Sequence, residues 1–196
     1  MDAFGGMWGV MKVVATLVVL ALVAAGVGVY LMFRADMRSA RAHLLEGSRV
    51  VSTDCGPIEV AEVGEGPPVL MVHGAGGGYD QGLNLARGLV GDGFRHIAVS
   101  RFGYLRTPLP PDASSAAQAD ALACALDTLE TPRVAVLGVS AGAHPAAQLA
   151  LRHPEKVDAL ALVVPALYVP PEPGAPPATG PPAIITDYVL RSDFLV

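Results

Sequence analysis

The chain has 196 residues, 52% of them hydrophobic and 16% charged, and carries a formal net charge of −5. That acidic balance argues against a nucleic-acid surface, and no basic patch with interleaved aromatics offsets it. The apolar share is high for a soluble domain, and the excess is concentrated at one end.

After a short N-terminal segment, residues 1–12, Val13 to Phe33 is an uninterrupted apolar run flanked by Lys12 and by Arg34, Arg38 and Arg41. At about 1.5 Å per residue, a helix of this length crosses a hydrocarbon core of roughly 30 Å. A cleaved signal peptide has a shorter apolar region with its cleavage site close behind, and Ala40-Arg41-Ala42 lies too far downstream for that. The run predicts a single-pass transmembrane helix over 13–33, with the lipid bilayer as partner. Residues 34–47 follow as a juxtamembrane linker whose arginines meet anionic head groups. More positive charge lies after the span than before it, which favours the C-terminal part on the cytoplasmic side. Cys55 and Cys124 have neither metal-ligand spacing nor a dense disulfide pattern and leave the compartment open.

From Ser48 onward strands and helices alternate. Gly56 to Val63 suggests an early hairpin strand. Pro68 to Val72 reads as a short buried strand running straight into His73-Gly74-Ala75-Gly76-Gly77-Gly78. Glycines in such a loop let backbone N–H groups face a substrate carbonyl without side chains in the way, which makes Gly74 and Ala75 candidate oxyanion-loop residues. A phosphate cradle fails on spacing: Tyr79 breaks G-x-G-x-x-G, and no G-K-[ST] follows. His73 fits a loop-shaping residue bonded to nearby backbone. Tyr79 to Val90 predicts a helix, Arg95 to Ser100 a strand leading into Arg101-Phe102-Gly103-Tyr104-Leu105-Arg106-Thr107-Pro108, and Asp112 to Glu130 a second helix.

Arg133 to Leu137 is the next apolar strand, followed at once by Gly138-Val139-Ser140-Ala141-Gly142 and by the Ala-rich, helix-like stretch Ala141 to Arg152. G-x-S-x-G between a strand and a helix is the pattern of a nucleophile elbow. The sharp turn lifts the Ser140 hydroxyl above the sheet edge, and Gly138 and Gly142 leave room for the close approach. The same turn aims the Ala141 amide, at the new helix's N-terminus, toward a developing oxyanion. Val157 to Val164 reads as one more strand. Alternating elements of these lengths imply a mostly parallel sheet with helices on both faces.

From about Ser48 to Val164 the chain resembles the N-terminal part of an α/β-hydrolase of the esterase and lipase-like branch, on the strength of the H-G-A-G-G-G loop, the G-V-S-A-G elbow and the segment from Arg101 to Pro108. The resemblance implies an α/β fold with residues 48–164 as its core. It also implies a Ser140 nucleophile acting on a small-molecule acyl substrate, an acyl-serine intermediate, and no metal or organic cofactor.

Residues 165–182 are dense in proline and read as a linker, and 183–196 as the start of a cap or lid helix. The family needs an acid and then a histidine after the nucleophile. Only His144 and His153 follow Ser140, both on the helix after the elbow, with His153 fitting a C-terminal cap. Asp158 belongs at the far end of the sheet, and Asp187 and Asp193 in the lid helix. On this reading the chain is a fragment or truncated product of a membrane-anchored serine hydrolase, poor as a catalyst alone. The competing reading is a non-catalytic, membrane-tethered module or decayed remnant that kept the hydrolase half-sheet. An oligomer or partner would then cover the incomplete sheet.

Overall fold

The computed structural model describes residues 3–167. The Pro-rich stretch beyond Leu167 and the expected lid helix, with Asp187 and Asp193, lie outside the described residues.

Helix α1 runs unbroken over Ala3–Glu46, 44 residues. It is the one helix among the described residues long and apolar enough to cross a membrane, with a mean hydropathy of 2.5 in its most apolar window. The segment expected as a linker, 34–47, is helical to Glu46. At about 1.5 Å per residue the thirteen positions after Phe33 extend the helix by roughly 20 Å beyond the apolar run, as a stalk.

The sheet follows, with strands β1 (Arg49–Thr53), β2 (Gly56–Val63), β3 (Pro68–Val72), β4 (Arg95–Val99), β5 (Val134–Val139) and β6 (Val157–Val163). Their order is β1-β2-β4-β3-β5-β6. The β1–β2 and β2–β4 pairs are antiparallel, and the rest are parallel. Helices α2 (Tyr79–Leu89), α3 (Ser115–Thr128) and α4 (Ala143–Arg152) fill the crossovers. Alternate strand residues point to opposite faces. Leu70 and Val72 of β3 therefore join Leu122 and Leu126 of α3 and Leu149 of α4 on one side, while Val69 and Met71 pack with Ala86 of α2 on the other. This two-faced burial explains why β3, β4 and β5 read as continuous apolar runs rather than alternating ones.

Element boundaries moved where caps decide them. Helix α3 begins at Ser115 rather than Asp112, because the Ser114 side chain accepts from the Ala117 amide and caps the helix. After the elbow, Ser140–Gly142 forms a 3₁₀ turn before α4 starts at Ala143. Strand β1 was not anticipated. It is held against β2 as the other arm of the hairpin.

The foot of the stalk is bonded to the sheet end where β3 and β4 finish. Tyr79 at the start of α2 donates its hydroxyl to the Leu44 carbonyl at 2.8 Å. Glu59 of β2, only 1% exposed, accepts from Ser48, Ser100 and Arg106. Burial alone would raise the Glu59 pKa, but these bonds outweigh it and hold the carboxyl below the usual range. Helix α1 thus ends beside the C-terminal ends of β3 and β4.

Cys55, in the β1–β2 turn, forms a disulfide with Cys124 of α3 across 69 residues of sequence. Closing so long a loop restricts the unfolded chain, so Cys55→Ser with Cys124→Ser is expected to cost about 2–4 kcal/mol. Urea unfolding of wild type, with and without reductant, and of the double variant checks this. A reductant-insensitive midpoint equal to the variant's would contradict it.

Candidate active site

Three loops meet at the C-terminal ends of β3, β4 and β5. Ser140 follows β5 directly and holds φ at +50°, in the left-handed region that a non-glycine residue rarely occupies. Such a turn is possible because the residues two positions to either side, Gly138 and Gly142, lack side chains. A Cβ on Gly138 would lie 2.6 Å from the Ala146 Cβ, and one on Gly142 would lie 2.3 Å from the Val72 carbonyl oxygen. Ala141 stands in the 3₁₀ turn that opens α4, with its amide at the positive end of the helix. The Ser140 carbonyl accepts from the Ala166 amide at 3.1 Å, so the chain leaving β6 returns to brace the elbow.

The glycine loop after β3 lies against this turn: a Cβ on Gly74 would meet the Ser140 Cβ at 3.3 Å. Ser140, Ala141, Gly74 and Ala75 are therefore brought to one place. The Gly74 amide, however, donates to Gln81 Oε1 at 2.8 Å. Among the described residues the Ala75 amide meets no acceptor, which makes Ala75 rather than Gly74 the loop residue with a donor to offer.

His73 is fully buried. Its Nδ1 donates to the Gly74 carbonyl at 2.7 Å, and its Nε2 accepts from the Arg101 amide at 3.0 Å. The acceptor role at Nε2 fixes a neutral ring with the proton on Nδ1. The ring also meets Tyr104 edge-on, with centroids 4.8 Å apart. His73 thus shapes the loop. Burial, reinforced by the Arg101 charge and opposed by the bond to Gly74, lowers its pKa from 6.5 to about 4.

The sign of the linkage follows. The unfolded chain takes up this proton near pH 6.5 and the folded chain only near 4, so the contribution is present above 6.5 and lost as pH falls through that window. A shift of this size corresponds to about 3 kcal/mol. The gap in urea midpoint between wild type and His73→Asn is expected to narrow from pH 7.5 to 4.5, and parallel profiles would contradict it.

The remaining candidates lie elsewhere. His153 caps α4 through its amide and binds Asp120 Oδ1 at 2.8 Å, beside the Arg152–Asp120 ion pair. An Asp–His pair invites a catalytic reading, but α4 spans ten residues, and at about 1.5 Å each the pair stands roughly 15 Å from the elbow. The Arg152 bonds, then that of His153, hold the Asp120 carboxyl near a pKa of about 2. Asp158 pairs with Arg133 at the start of β6, the sheet end opposite Ser140. His144 lies in the first turn of α4.

Sequence reasoning missed Gln81, Arg101 and Tyr104. Arg101 donates from Nη2 to the Gly74 carbonyl at 3.0 Å and stacks over Tyr104, whose hydroxyl donates to the Ala75 carbonyl at 3.1 Å. For Gln81 the available signal was a polar residue in the first turn of a helix directly after a glycine loop, which marks a side chain able to reach back, and for Arg101 and Tyr104 it was the segment from Arg101 to Pro108, whose separate side-chain roles the sequence does not give.

A family model for the α/β hydrolase fold matches residues 67–191. Among curated proteins, the chain is 36% identical over 100 residues to the 2-hydroxy-6-oxononadienedioate/2-hydroxy-6-oxononatrienedioate hydrolase of Paraburkholderia xenovorans (strain LB400), covering 48% of this chain and 35% of that protein. Among solved structures it is similar to an alpha/beta hydrolase fold protein from Nakamurella multipartita, with a TM-score of 0.59, 41% identity, and 65% and 45% of the two chains covered. It is also similar to a membrane phospholipase A described as a bacterial virulence factor, with a TM-score of 0.60, 32% identity, and 81% and 53% covered. The chain thus spans well under two thirds of the length of these relatives.

Proposed function

Because the chain belongs to the α/β-hydrolase fold family, we propose that it is an acyl-ester hydrolase held at a membrane, with Ser140 as nucleophile and the Ala141 and Ala75 amides as oxyanion donors. The observation that carries this reading is the left-handed backbone at Ser140, wedged between two glycines that nothing larger could replace. The Ser140 Oγ attacks the acyl carbon, the carbonyl electrons move onto oxygen between the two amides, and collapse breaks the bond to the leaving oxygen, which takes up the proton lost by the serine and departs as the alcohol to leave acyl-Ser140. Water then releases the acid. The base and acid that the family's triad requires are not assigned among the described residues.

The bilayer is the proposed partner of residues 13–33. The stalk's bonds to the active edge, and the similarity to a membrane phospholipase A, favour lipophilic acyl substrates. β6 is an outer strand among the described residues, and further chain or a second copy covering it is part of the reading.

The side of the membrane is proposed against the charge count. Flanking arginines favour the cytoplasm, but the Cys55–Cys124 bond belongs in an oxidising compartment and favours the extracytoplasmic side. Thiols blocked to maleimide in untreated cells and freed by reductant support that placement. Thiols open without reductant would return the domain to the cytoplasm.

The chain in lipid nanodiscs, offered p-nitrophenyl esters of increasing acyl length, is expected to hydrolyse them above the buffer rate and to favour the longer chains. Buffer-level rates across the series would count against the hydrolase reading. Equal rates at all lengths would remove the lipophilic substrate class.

A further inference from the structure

We infer that Gln81 and Arg101 are positioning residues that fix Gly74 from both sides and so aim the Ala75 amide at the substrate oxygen. This rests on the reading of Ser140 as nucleophile. Glycine has the most permissive backbone of any residue, and Gly74 stands between His73 and Ala75 at the head of a glycine-rich loop, yet an oxyanion donor acts only if it is already aimed. Two adjacent peptide planes meet at Gly74, and each is held by a side chain from a different element.

The plane before Gly74 is held by Gln81, which accepts the Gly74 N–H at 2.8 Å from the first turn of α2. The loop is moulded on this side chain: a Cβ on Gly77 would lie 2.5 Å from the Gln81 Cβ. The plane after Gly74 is held by its carbonyl, which receives the Arg101 guanidinium at 3.0 Å and His73 Nδ1 at 2.7 Å. That peptide is trans, so its N–H, which belongs to Ala75, points opposite to the carbonyl. Pinning the Gly74 oxygen toward Arg101 therefore turns the Ala75 amide away from it.

The arrangement divides the work. Arg101 supplies a charged donor, stronger than a neutral one, and is itself steadied by stacking on Tyr104 at 4.8 Å. Gln81 removes the Gly74 amide from competition and stops the loop from rotating about the glycine. Neither side chain needs to touch the substrate.

Gln81→Leu keeps the volume but loses the acceptor, whereas Gln81→Glu keeps an acceptor. Arg101→Lys keeps the charge but loses the planar fork. Backbone hydrogen exchange gives a readout independent of catalysis. In Gln81→Leu the Gly74 amide is expected to exchange at least about tenfold faster while the α3 amides keep wild-type rates, and Gln81→Glu is expected to behave as wild type. On p-nitrophenyl butyrate, Gln81→Leu and Arg101→Lys are expected to lower kcat about tenfold or more with KM within about threefold, because a misaimed donor weakens transition-state binding alone. Wild-type exchange at Gly74 in Gln81→Leu, or a loss confined to KM, would overturn the inference. If wild type neither hydrolyses esters nor labels with a fluorophosphonate, the hydrolase reading fails, and the exchange comparison still decides whether Gln81 holds the loop.

Discussion

Ser140→Ala is expected to bring whatever ester hydrolysis the chain shows down to the buffer rate, because the serine is the group that takes the acyl chain. The expectation rests on Ser140's position at the tip of the elbow, against the glycine loop, and partly exposed. The effect should be chemical and not structural. Alanine inherits the same φ of +50° and removes only one oxygen, so the urea midpoint should stay within about 0.5 kcal/mol of wild type. A variant that hydrolyses at the wild-type rate would remove Ser140 from the mechanism, and one that loses rate together with stability would make its role a matter of folding.

Gly142→Ala is expected to destabilise the domain by more than about 4 kcal/mol, a large share of the roughly 5–15 kcal/mol that holds an ordinary domain folded. Its new Cβ would stand 2.3 Å from the Val72 carbonyl oxygen and 2.5 Å from that of His73. Both are backbone atoms at the end of a central strand, so neither can yield as a flexible side chain would. Gly88 of α2 is the matching control, because a Cβ there meets nothing within 4 Å. Gly88→Ala should be neutral or stabilising by up to about 1 kcal/mol. Thermal melts of the two variants beside wild type check the pair. Similar melting temperatures for both would mean that the elbow is not packed as described.

Much of the fold was legible because its signals are local. β2 and β3 run over the expected residues, Gly56–Val63 and Pro68–Val72, and β4, β5 and β6 depart from expectation by no more than two residues. Each is a short apolar run bounded by glycine, proline or a charge, and the elbow is a pentapeptide whose mechanics require those residues in that order. What the sequence hid is what depends on distant partners. β1 has no strong apolar pattern and exists because β2 offers it a ladder. The stalk reads as polar after Phe33, yet it stays helical to Glu46, where Tyr79 and the Glu59 network receive its end. Cys55 and Cys124 are too far apart in sequence to announce a pairing that only the packing of α3 on the hairpin creates.

The site divides along the same line. Ser140, Ala141 and the glycine loop are motif residues, so their meeting could be expected from order alone. The choice of Ala75 over Gly74 could not, because it turns on one hydrogen bond from a glutamine seven residues on. The Asp120–His153 pair is the converse case: side chains of catalytic type, brought together where helix length keeps them from the nucleophile.

The most direct test of the central claim is covalent. The purified chain in lipid nanodiscs is treated with a fluorophosphonate probe, and the adduct is mapped by peptide mass spectrometry. A single adduct on Ser140, absent from Ser140→Ala, is the predicted result; a folded protein that takes no label, or takes it on another residue, would contradict the assignment of Ser140 as nucleophile.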